Sequence, residues 1–274
     1  MKIPSLLAVL MFLSILPSAC DKEDPEDLSA CFAGREGTIV IYDEYADRYF
    51  VHNPQRSEQR FSPFSTFKIP NSLIALETGV VHGIEDTLFW NRSRYPAEDW
   101  WPAVWKTPQT LPEAFQNSTV PLYRQIARDV GEAQMQKYLD QFSYGNMDIS
   151  SGLDDFWLNG SLQISAVEQI RFLRSLCDKR LGISRQTGDL MVEVMVLEKK
   201  TNYTLSAKTG GGYLDAKQEQ ALGWYVGYVD KYDRRYYFAL NVDGDSFEAV
   251  RKSRVSIAKC ALRKLNILPR PKKD

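Results

Sequence analysis

The hydrophobic pattern of the chain changes twice, from strands to helices and back. Near the start, residues 38–42 and 48–52 are rich in β-branched and aromatic side chains and are separated by a polar turn, which predicts a hairpin. Beyond Tyr203 the apolar runs are again short and are joined by polar turns. They predict an antiparallel meander over residues 203–208, 222–229 and 236–242.

Between about residue 80 and residue 197 the pattern is that of helices and loops. Apolar side chains recur at helical spacing over residues 122–130 and 135–139. Ser165 and Glu168 have the spacing of a capping box that opens a further helix. Strands at the two ends therefore flank a helical middle.

These elements indicate an α/β (α+β) fold. We expect a central antiparallel sheet that is built from both termini and flanked by helices, with an inserted all-helical subdomain over roughly residues 80–197. A last helix is predicted over residues 247–265. A ligand pocket is expected between the two lobes of such a fold.

Composition and charge fit one folded domain without a nucleic-acid partner. The 274 residues include 44% hydrophobic residues, which is enough for one large core. The 34 lysines and arginines nearly cancel the 35 acidic residues, and no basic run belongs to a recognisable nucleic-acid module.

The N-terminal 19 residues predict an export signal, with Lys2 followed by an apolar run and small residues before Cys20. The run is too short for a transmembrane helix with polar flanks. It resembles the processing site of bacterial lipoproteins, in which the cysteine is lipidated; Pro17 departs from that pattern, so cleavage after Ala19 without a lipid is the alternative. A lipid is then the expected link to a membrane. Residues 20–30 predict a charged tether, and 31–274 the single folded domain.

The cysteine count leaves one pairing open. If Cys20 is lipidated, three cysteines remain, and at most one pair can form in an oxidising compartment. Cys177 lies in an apolar helical run and is expected to be a buried thiol. A bond between Cys31 and Cys260, near the two ends of the domain, stays open.

The strongest chemical signal is Ser65-Thr66-Phe67-Lys68, which precedes a buried helix that ends near Gly79. Ser65 at a helix start has free backbone N–H groups nearby, and Lys68 shares its face. Lys68 can accept a proton only as a neutral amine, which burial favours. The motif is common by chance, and we attribute the second match, Ser256 to Lys259, to chance.

Three further motifs follow in an informative order: Ser118-Thr119-Val120, Tyr144-Gly145-Asn146 and Lys208-Thr209-Gly210. With Ser65-x-x-Lys68, they make the chain resemble the class D β-lactamases (oxacillinases) of the β-lactamase and penicillin-binding-protein superfamily. The resemblance covers about residues 38–267 and includes residues 156–158 and 250–253. It implies an enzyme that opens the β-lactam ring of penicillins and thereby causes antibiotic resistance.

The resemblance also implies catalytic roles. Ser65 would be the acylated nucleophile, and Lys68 its base after carboxylation by CO2, with no other cofactor. Ser118 would relay a proton to the β-lactam nitrogen beside the positive charge of Lys208. The backbone N–H groups of Ser65 and Gly211 would form the oxyanion hole.

Binding roles follow from the same resemblance. Thr209, Gly210 and Arg251 would hold the substrate, with Thr209 and Arg251 on its carboxylate, because a guanidinium can bind a carboxylate in two places. Tyr144 and Asn146 are also assigned to shaping the substrate site.

An apolar pocket is expected around Lys68, since the amine reacts with CO2 only when its pKa is lowered. Val120, Phe67 and Leu158 are the expected walls, and the indole N–H of Trp157 is the expected donor to the carbamate oxygen.

Two features bear on substrate range and metal use. Gly210-Gly211-Gly212 stands where this class often has a bulkier residue, and three glycines are expected to leave that strand edge open. With only His52 and His82 as imidazoles and no paired cysteine motif, a zinc hydrolase is disfavoured.

Two other functions compete with hydrolysis. One is the sensor domain of inducible β-lactam receptors, which stays acylated; a polar residue in place of Val120 would favour it. The other is a penicillin-binding cell-wall peptidase, which the class D form of the motifs disfavours.

Overall fold

The computed structural model describes residues 27–158 and 160–270. The predicted export signal, Cys20 and most of the tether lie outside these residues. The strands are β1 Gly37–Asp43, β2 Arg48–His52, β3 Val196–Lys199, β4 Thr204–Tyr213, β5 Ala221–Lys231 and β6 Arg234–Gly244. The helices are α1 Ser29–Phe32, α2 Pro54–Ser57, α3 Lys68–Glu77, α4 Leu111–Gln116, α5 Val120–Val130, α6 Glu132–Phe142, α7 Ala166–Cys177, α8 Arg185–Val194 and α9 Phe247–Lys264.

The strands form one antiparallel sheet in the order β2-β1-β6-β5-β4-β3. The N-terminal hairpin pairs with β6, so both ends of the chain build the sheet, and the predicted fold class is confirmed. The hairpin, the C-terminal meander, the capping box of α7 and the last helix also form where they were predicted.

The sheet separates two apolar layers because side chains alternate along its strands. On β5, Trp224 and Val226 face the layer shared with the helical middle of the chain, whereas Tyr225 faces the layer under α1 and α9. On β1, Val40 and Ile41 divide in the same way. The buried sheet thus holds β4 in a fixed position between the helical middle and α9.

Two boundaries differ from the prediction. Leu28 is 2% exposed and packs in the α9 layer, and α1 begins at Ser29, so the folded part begins before residue 31. The helical region ends at Val194, and residues 196–199 form β3, a strand that was not predicted. This short edge strand pairs only with β4 and has a register shift, so its own sequence is a weak signal.

A disulfide joins Cys31 to Cys260 and closes a loop of 229 residues in sequence separation. It ties α1 to α9, and a bond that closes so long a loop contributes about 2–4 kcal/mol to the free energy of unfolding. Cys177 has a free thiol, as predicted, but the residue is only partly buried; desolvation raises its pKa to about 11.

No helix within the described ranges is both long enough and apolar enough to cross a membrane.

Candidate active site

Ser65 lies in a 3₁₀ turn, Phe64–Phe67, that leads directly into α3. The turn is held from behind, because Phe64 N–H donates to Trp157 O at 3.0 Å and Thr66 Oγ1 donates to Pro63 O at 2.8 Å. The turn is largely buried, whereas Ser65 is half-buried and lines a cavity. Its hydroxyl is therefore the accessible nucleophile of the turn.

Lys68 is fully buried one turn after Ser65, and its Nζ donates to Ser65 Oγ at 3.0 Å. The Nζ also lies 4.9 Å from the centre of the Tyr123 ring. Burial lowers the pKa of Lys68 from 10.5 to about 7, because an ammonium is poorly solvated there. A large share of Lys68 is thus a neutral amine at neutral pH, as a base or a CO2 acceptor requires.

Of the four residues expected to surround Lys68, Phe67 and Trp157 are fully buried, and Val120 and Leu158 lie on the cavity wall. The Phe67 ring is fully buried and stacks on Trp157 with 5.1 Å between ring centres. Val120 and Leu158 line the cavity that contains Ser65. Trp157 Nε1 is buried and has no hydrogen-bond partner among the described residues. Its N–H group is therefore free to donate to a ligand or a modified side chain.

A second lysine meets a second serine across the cavity. Lys208 on β4 donates from Nζ to Ser118 Oγ at 3.1 Å and to Thr209 O at 3.0 Å. Lys208 is 4% exposed, and burial, followed by the positive charges of Lys68 and Arg254, holds its pKa well below its usual value. Ser118 has a φ of 57°, a left-handed conformation that a serine adopts only when its surroundings impose it.

Ser65, Ser118 and Thr209 line one cavity of about 540 Å³ between the helical middle of the chain and the end of β4, and the two buried lysines reach it through their contacts with the serines. Its apolar wall includes four aromatic side chains, Trp100, Trp105, Tyr213 and Phe247. A neighbouring cavity of about 660 Å³ shares Trp100, Val120, Leu158 and residues 211–213 with it. The cleft has the dimensions of a site for a small-molecule ligand.

Arg251 and Arg254 both line the cavity, and the buried one is Arg254, not Arg251, which was assigned from sequence. Arg251 touches the cavity but is mostly exposed on α9, where it pairs with Glu248. Arg254 is 8% exposed and donates from Nη1 to Gly210 O, while its buried Nε has no partner among the described residues. Burial lowers its pKa to about 10, so it remains charged at neutral pH and can bind a carboxylate.

Arg254 could have been found from helical periodicity. The buried face of α9 includes Val250, Ile257 and Ala261, and Arg254 lies on this face. Arg251 lies on the opposite, solvated face. An arginine on the apolar face of a helix is the signal that the motif comparison overlooked.

Tyr144 and Asn146 do not line the cavity, so the part predicted for them in shaping the substrate site is indirect. Tyr144 is fully buried, and its ring packs edge-on against Phe67 and Phe172. Asn146 fixes a turn, because its Nδ2 donates to Ser161 O at 2.8 Å and its Oδ1 accepts from backbone N–H groups. Tyr144 therefore supports the nucleophile turn from behind, through Phe67.

The three glycines also differ from expectation, because the edge they form is closely packed. A Cβ at Gly210 would lie 2.8 Å from Pro63 O, and one at Gly212 would lie 2.4 Å from the Phe64 ring. Glycine here allows β4 to approach the nucleophile turn closely. Ser256 and Lys259, by contrast, lie away from the cavity on α9, and Lys259 pairs with Glu198.

Comparison with known proteins agrees with this geometry. The family model of the penicillin-binding protein transpeptidase domain matches residues 37–265. β-Lactamase OXA-48 of Klebsiella pneumoniae is 37% identical over 274 residues, covering 98% of this chain and 100% of the relative. β-Lactamase OXA-10 of Pseudomonas aeruginosa is 41% identical over 210 residues, covering 77% of each chain.

Solved structures give the same result. The class D β-lactamase YbXI from Nostoc superimposes with a TM-score of 0.81 at 36% identity, covering 88% of this chain and 99% of that one. FUS-1 (OXA-85), a class D β-lactamase from Fusobacterium nucleatum subsp. polymorphum, superimposes with a TM-score of 0.81 at 32% identity, covering 88% and 98%.

Proposed function

The chain belongs to the class D β-lactamases, and from this premise we propose that it opens the β-lactam ring by acylation of Ser65 and deacylation with a carboxylated Lys68. It is a serine β-lactamase, a hydrolase that acts on the cyclic amide of β-lactams. The observation that supports the mechanism most directly is the contact of 3.0 Å between Ser65 Oγ and the fully buried Nζ of Lys68.

The surroundings of Lys68 fit a carbamate. Burial favours the neutral amine that CO2 requires, and the free, buried Trp157 Nε1 is a donor for an anionic oxygen. When carboxylated by CO2 or bicarbonate, Lys68 supplies an anionic oxygen base beside Ser65. A buried amine with no such donor nearby would gain less from the modification.

In the acylation step, Ser65 Oγ attacks the β-lactam carbonyl carbon and transfers its proton to Lys68. The C–N bond of the ring then breaks, and the proton passes from Lys68 through Ser118 to the leaving nitrogen, so that Lys68 is again free to act as a base. The contact of Lys208 with Ser118 supports this role, because the Lys208 amine donates a hydrogen bond to the Ser118 oxygen through which the proton passes. The backbone N–H groups of Ser65 and Gly211, which line the same cavity, are the proposed donors to the carbonyl oxygen.

Deacylation requires a base that remains beside the ester. A water molecule attacks the ester carbonyl, Lys68 accepts its proton, and Ser65 leaves as the free hydroxyl. Val120 and Leu158 limit the bulk water near Lys68, since both are apolar residues on the cavity wall.

We assign the substrate carboxylate to Thr209 and Arg254 in place of Arg251. Arg254 to Ala is expected to lower kcat/KM about 10- to 100-fold, mainly through KM, because a hydrogen bond to a charged group is lost. Arg251 to Ala is the matched control on the same helix and should change KM less than twofold. Steady-state kinetics with a penicillin measures both.

Arg254 to Lys separates binding from folding, because it keeps the charge and loses the planar fork. This variant should have the melting temperature of the wild type and most of the increase in KM that is expected for Arg254 to Ala. If Arg251 to Ala raises KM more than Arg254 to Ala does, our assignment is wrong.

One experiment tests the proposed function against its two alternatives. The intact protein is mixed with one equivalent of a penicillin, and its mass is followed with time. An adduct that forms and disappears as free hydrolysed penicillin accumulates supports the hydrolase. An adduct that persists would favour the sensor domain or a cell-wall peptidase.

We further propose that the protein is exported to the periplasm, is anchored there by a lipid on Cys20 and causes antibiotic resistance. The Cys31–Cys260 disulfide supports export, since such bonds persist in oxidising compartments. Cys20 to Ser should release the protein from the membrane fraction. If the wild type and the variant are both soluble and begin at the same residue, the anchor is absent.

A further inference from the structure

The space beside Gly211 is occupied by side chains from α9. A Cβ built on Gly211 would lie 2.8 Å from Arg254 Nη1, 2.8 Å from Leu222 O and 3.3 Å from Phe247 Cε2. No side chain can therefore extend from residue 211 in this arrangement without displacing the arginine or the Phe247 ring. The aromatic surface at this point of the cavity comes from residue 247.

Phe247 is held in place by the start of α9. It is the first residue of the helix, after Ser246, whose side chain accepts from Ala249 N–H at 3.3 Å. Its own N–H donates to the Tyr213 hydroxyl at 3.4 Å, which connects the helix start to the end of β4. Helix and strand thus fix the backbone of Phe247 beside the cavity.

The Phe247 ring is accessible and lies close to the arginine of the site. The side chain is 36% exposed, and it lines the cavity that contains Ser65. The Arg254 guanidinium carbon lies 5.9 Å from the ring centre. A ligand whose carboxylate binds Arg254 would therefore bring the atoms next to that carboxylate against Phe247.

We propose that Phe247 is a specificity-determining residue that contacts the substituents on the substrate ring carbons beside the carboxylate. This inference rests on the proposed assignment of Arg254 to the carboxylate. The favoured substituents are compact and apolar, as are the two methyl groups beside the carboxylate of penicillins, because an aromatic ring gains most by excluding water from such groups. Large or charged substituents at this position would meet the ring and are disfavoured.

Phe247 to Ala tests the inference with two substrates, a penicillin and a cephalosporin that has a large substituent on the ring carbon next to the one bearing the carboxylate. The penicillin KM should rise about 10-fold with kcat within about twofold, since one apolar contact is lost from binding. The cephalosporin KM should stay constant or fall. The ratio of the two kcat/KM values should therefore decrease about 10-fold or more.

Two further variants control for structure. Phe247 to Leu keeps an apolar contact and should recover at least half of the change in the ratio; it also gives a result if the alanine variant does not fold. Phe89 to Ala removes the same side chain from a site that is 67% exposed and outside both cavities, and it should leave the ratio unchanged.

The possible failures can be told apart. A wild-type protein that does not hydrolyse either substrate would contradict the proposed function itself. A wild type that is active, with a Phe247 to Ala variant that folds and keeps the same substrate ratio, would overturn only the role of Phe247. Equal losses on both substrates would show a structural role and would also overturn it.

Discussion

Replacing Ser65 by alanine is expected to abolish both acyl-enzyme formation and hydrolysis, with a loss of about a million-fold in kcat. Ser65 is the hydroxyl that contacts a buried lysine whose pKa burial lowers to about 7, and the 3₁₀ turn exposes it to the cavity. Without its oxygen no covalent intermediate can form. Intact-mass spectrometry after mixing with a penicillin should show no adduct on the variant.

The chain contains a matched control for this prediction. Ser256 repeats the Ser-x-x-Lys spacing on α9, but Lys259 pairs with Glu198 and the Ser256 hydroxyl donates to backbone carbonyls of its own helix. Ser256 to Ala should therefore keep wild-type activity. A penicilloyl group that peptide mapping finds on any serine other than Ser65 would contradict the assignment.

Activity should depend on bicarbonate and should rise with pH through about 7. Carboxylation requires the neutral amine of Lys68, whose pKa burial lowers to about 7. Above this pKa the lysine has lost its proton, so the reactive fraction is about nine-tenths at pH 8 and about one-tenth at pH 6. Degassed enzyme should give progress curves that slow with time, and added bicarbonate should restore the rate.

Carbon-13 NMR with labelled bicarbonate gives a readout that is independent of turnover. A carbamate signal should appear in the wild type, weaken as the pH falls below 7 and be absent from Lys68 to Ala. If activity is indifferent to bicarbonate between pH 5 and 8 and no such signal forms, Lys68 acts as a plain amine, and slow deacylation should accompany that result.

Val120 to Asp should reduce turnover by about 100-fold or more while leaving acylation detectable. The new carboxylate would hold Lys68 as an ammonium in an ion pair and so remove the base for deacylation. The variant should fold, because Val120 is the first residue of α5 and an acidic side chain is favourable at a helix N-terminus. The penicilloyl adduct should therefore persist in intact-mass spectra.

The control for this variant is Val51 to Asp, which introduces the same carboxylate on the exposed face of β2. It should turn over penicillin at the wild-type rate. Rapid release of the adduct from Val120 to Asp would show that deacylation does not need a neutral or carboxylated Lys68.

Local sequence determined the elements and the order of the chemical motifs. The two hairpin strands, the C-terminal meander and the capped helix at Ser165 form as predicted, because each depends on side-chain periodicity and caps within a few residues. The same holds for Ser65 and Lys68, whose contact spans one turn of backbone. Interactions between residues a few positions apart can therefore be predicted from the local sequence.

What only the tertiary structure decided concerns pairs that are distant in sequence. The choice of Arg254 over Arg251 depends on which face of α9 packs on β4, and the burial of Tyr144 depends on rings from two other helical segments. The Cys31–Cys260 bond and the position of the Phe247 ring beside Gly211 likewise bring together segments that no local pattern relates. The spacing of apolar residues predicts which face of a helix or strand is buried. The residues that this face contacts are set by the packing of the whole sheet and its helices, because a close-packed interior fixes the neighbours of each side chain.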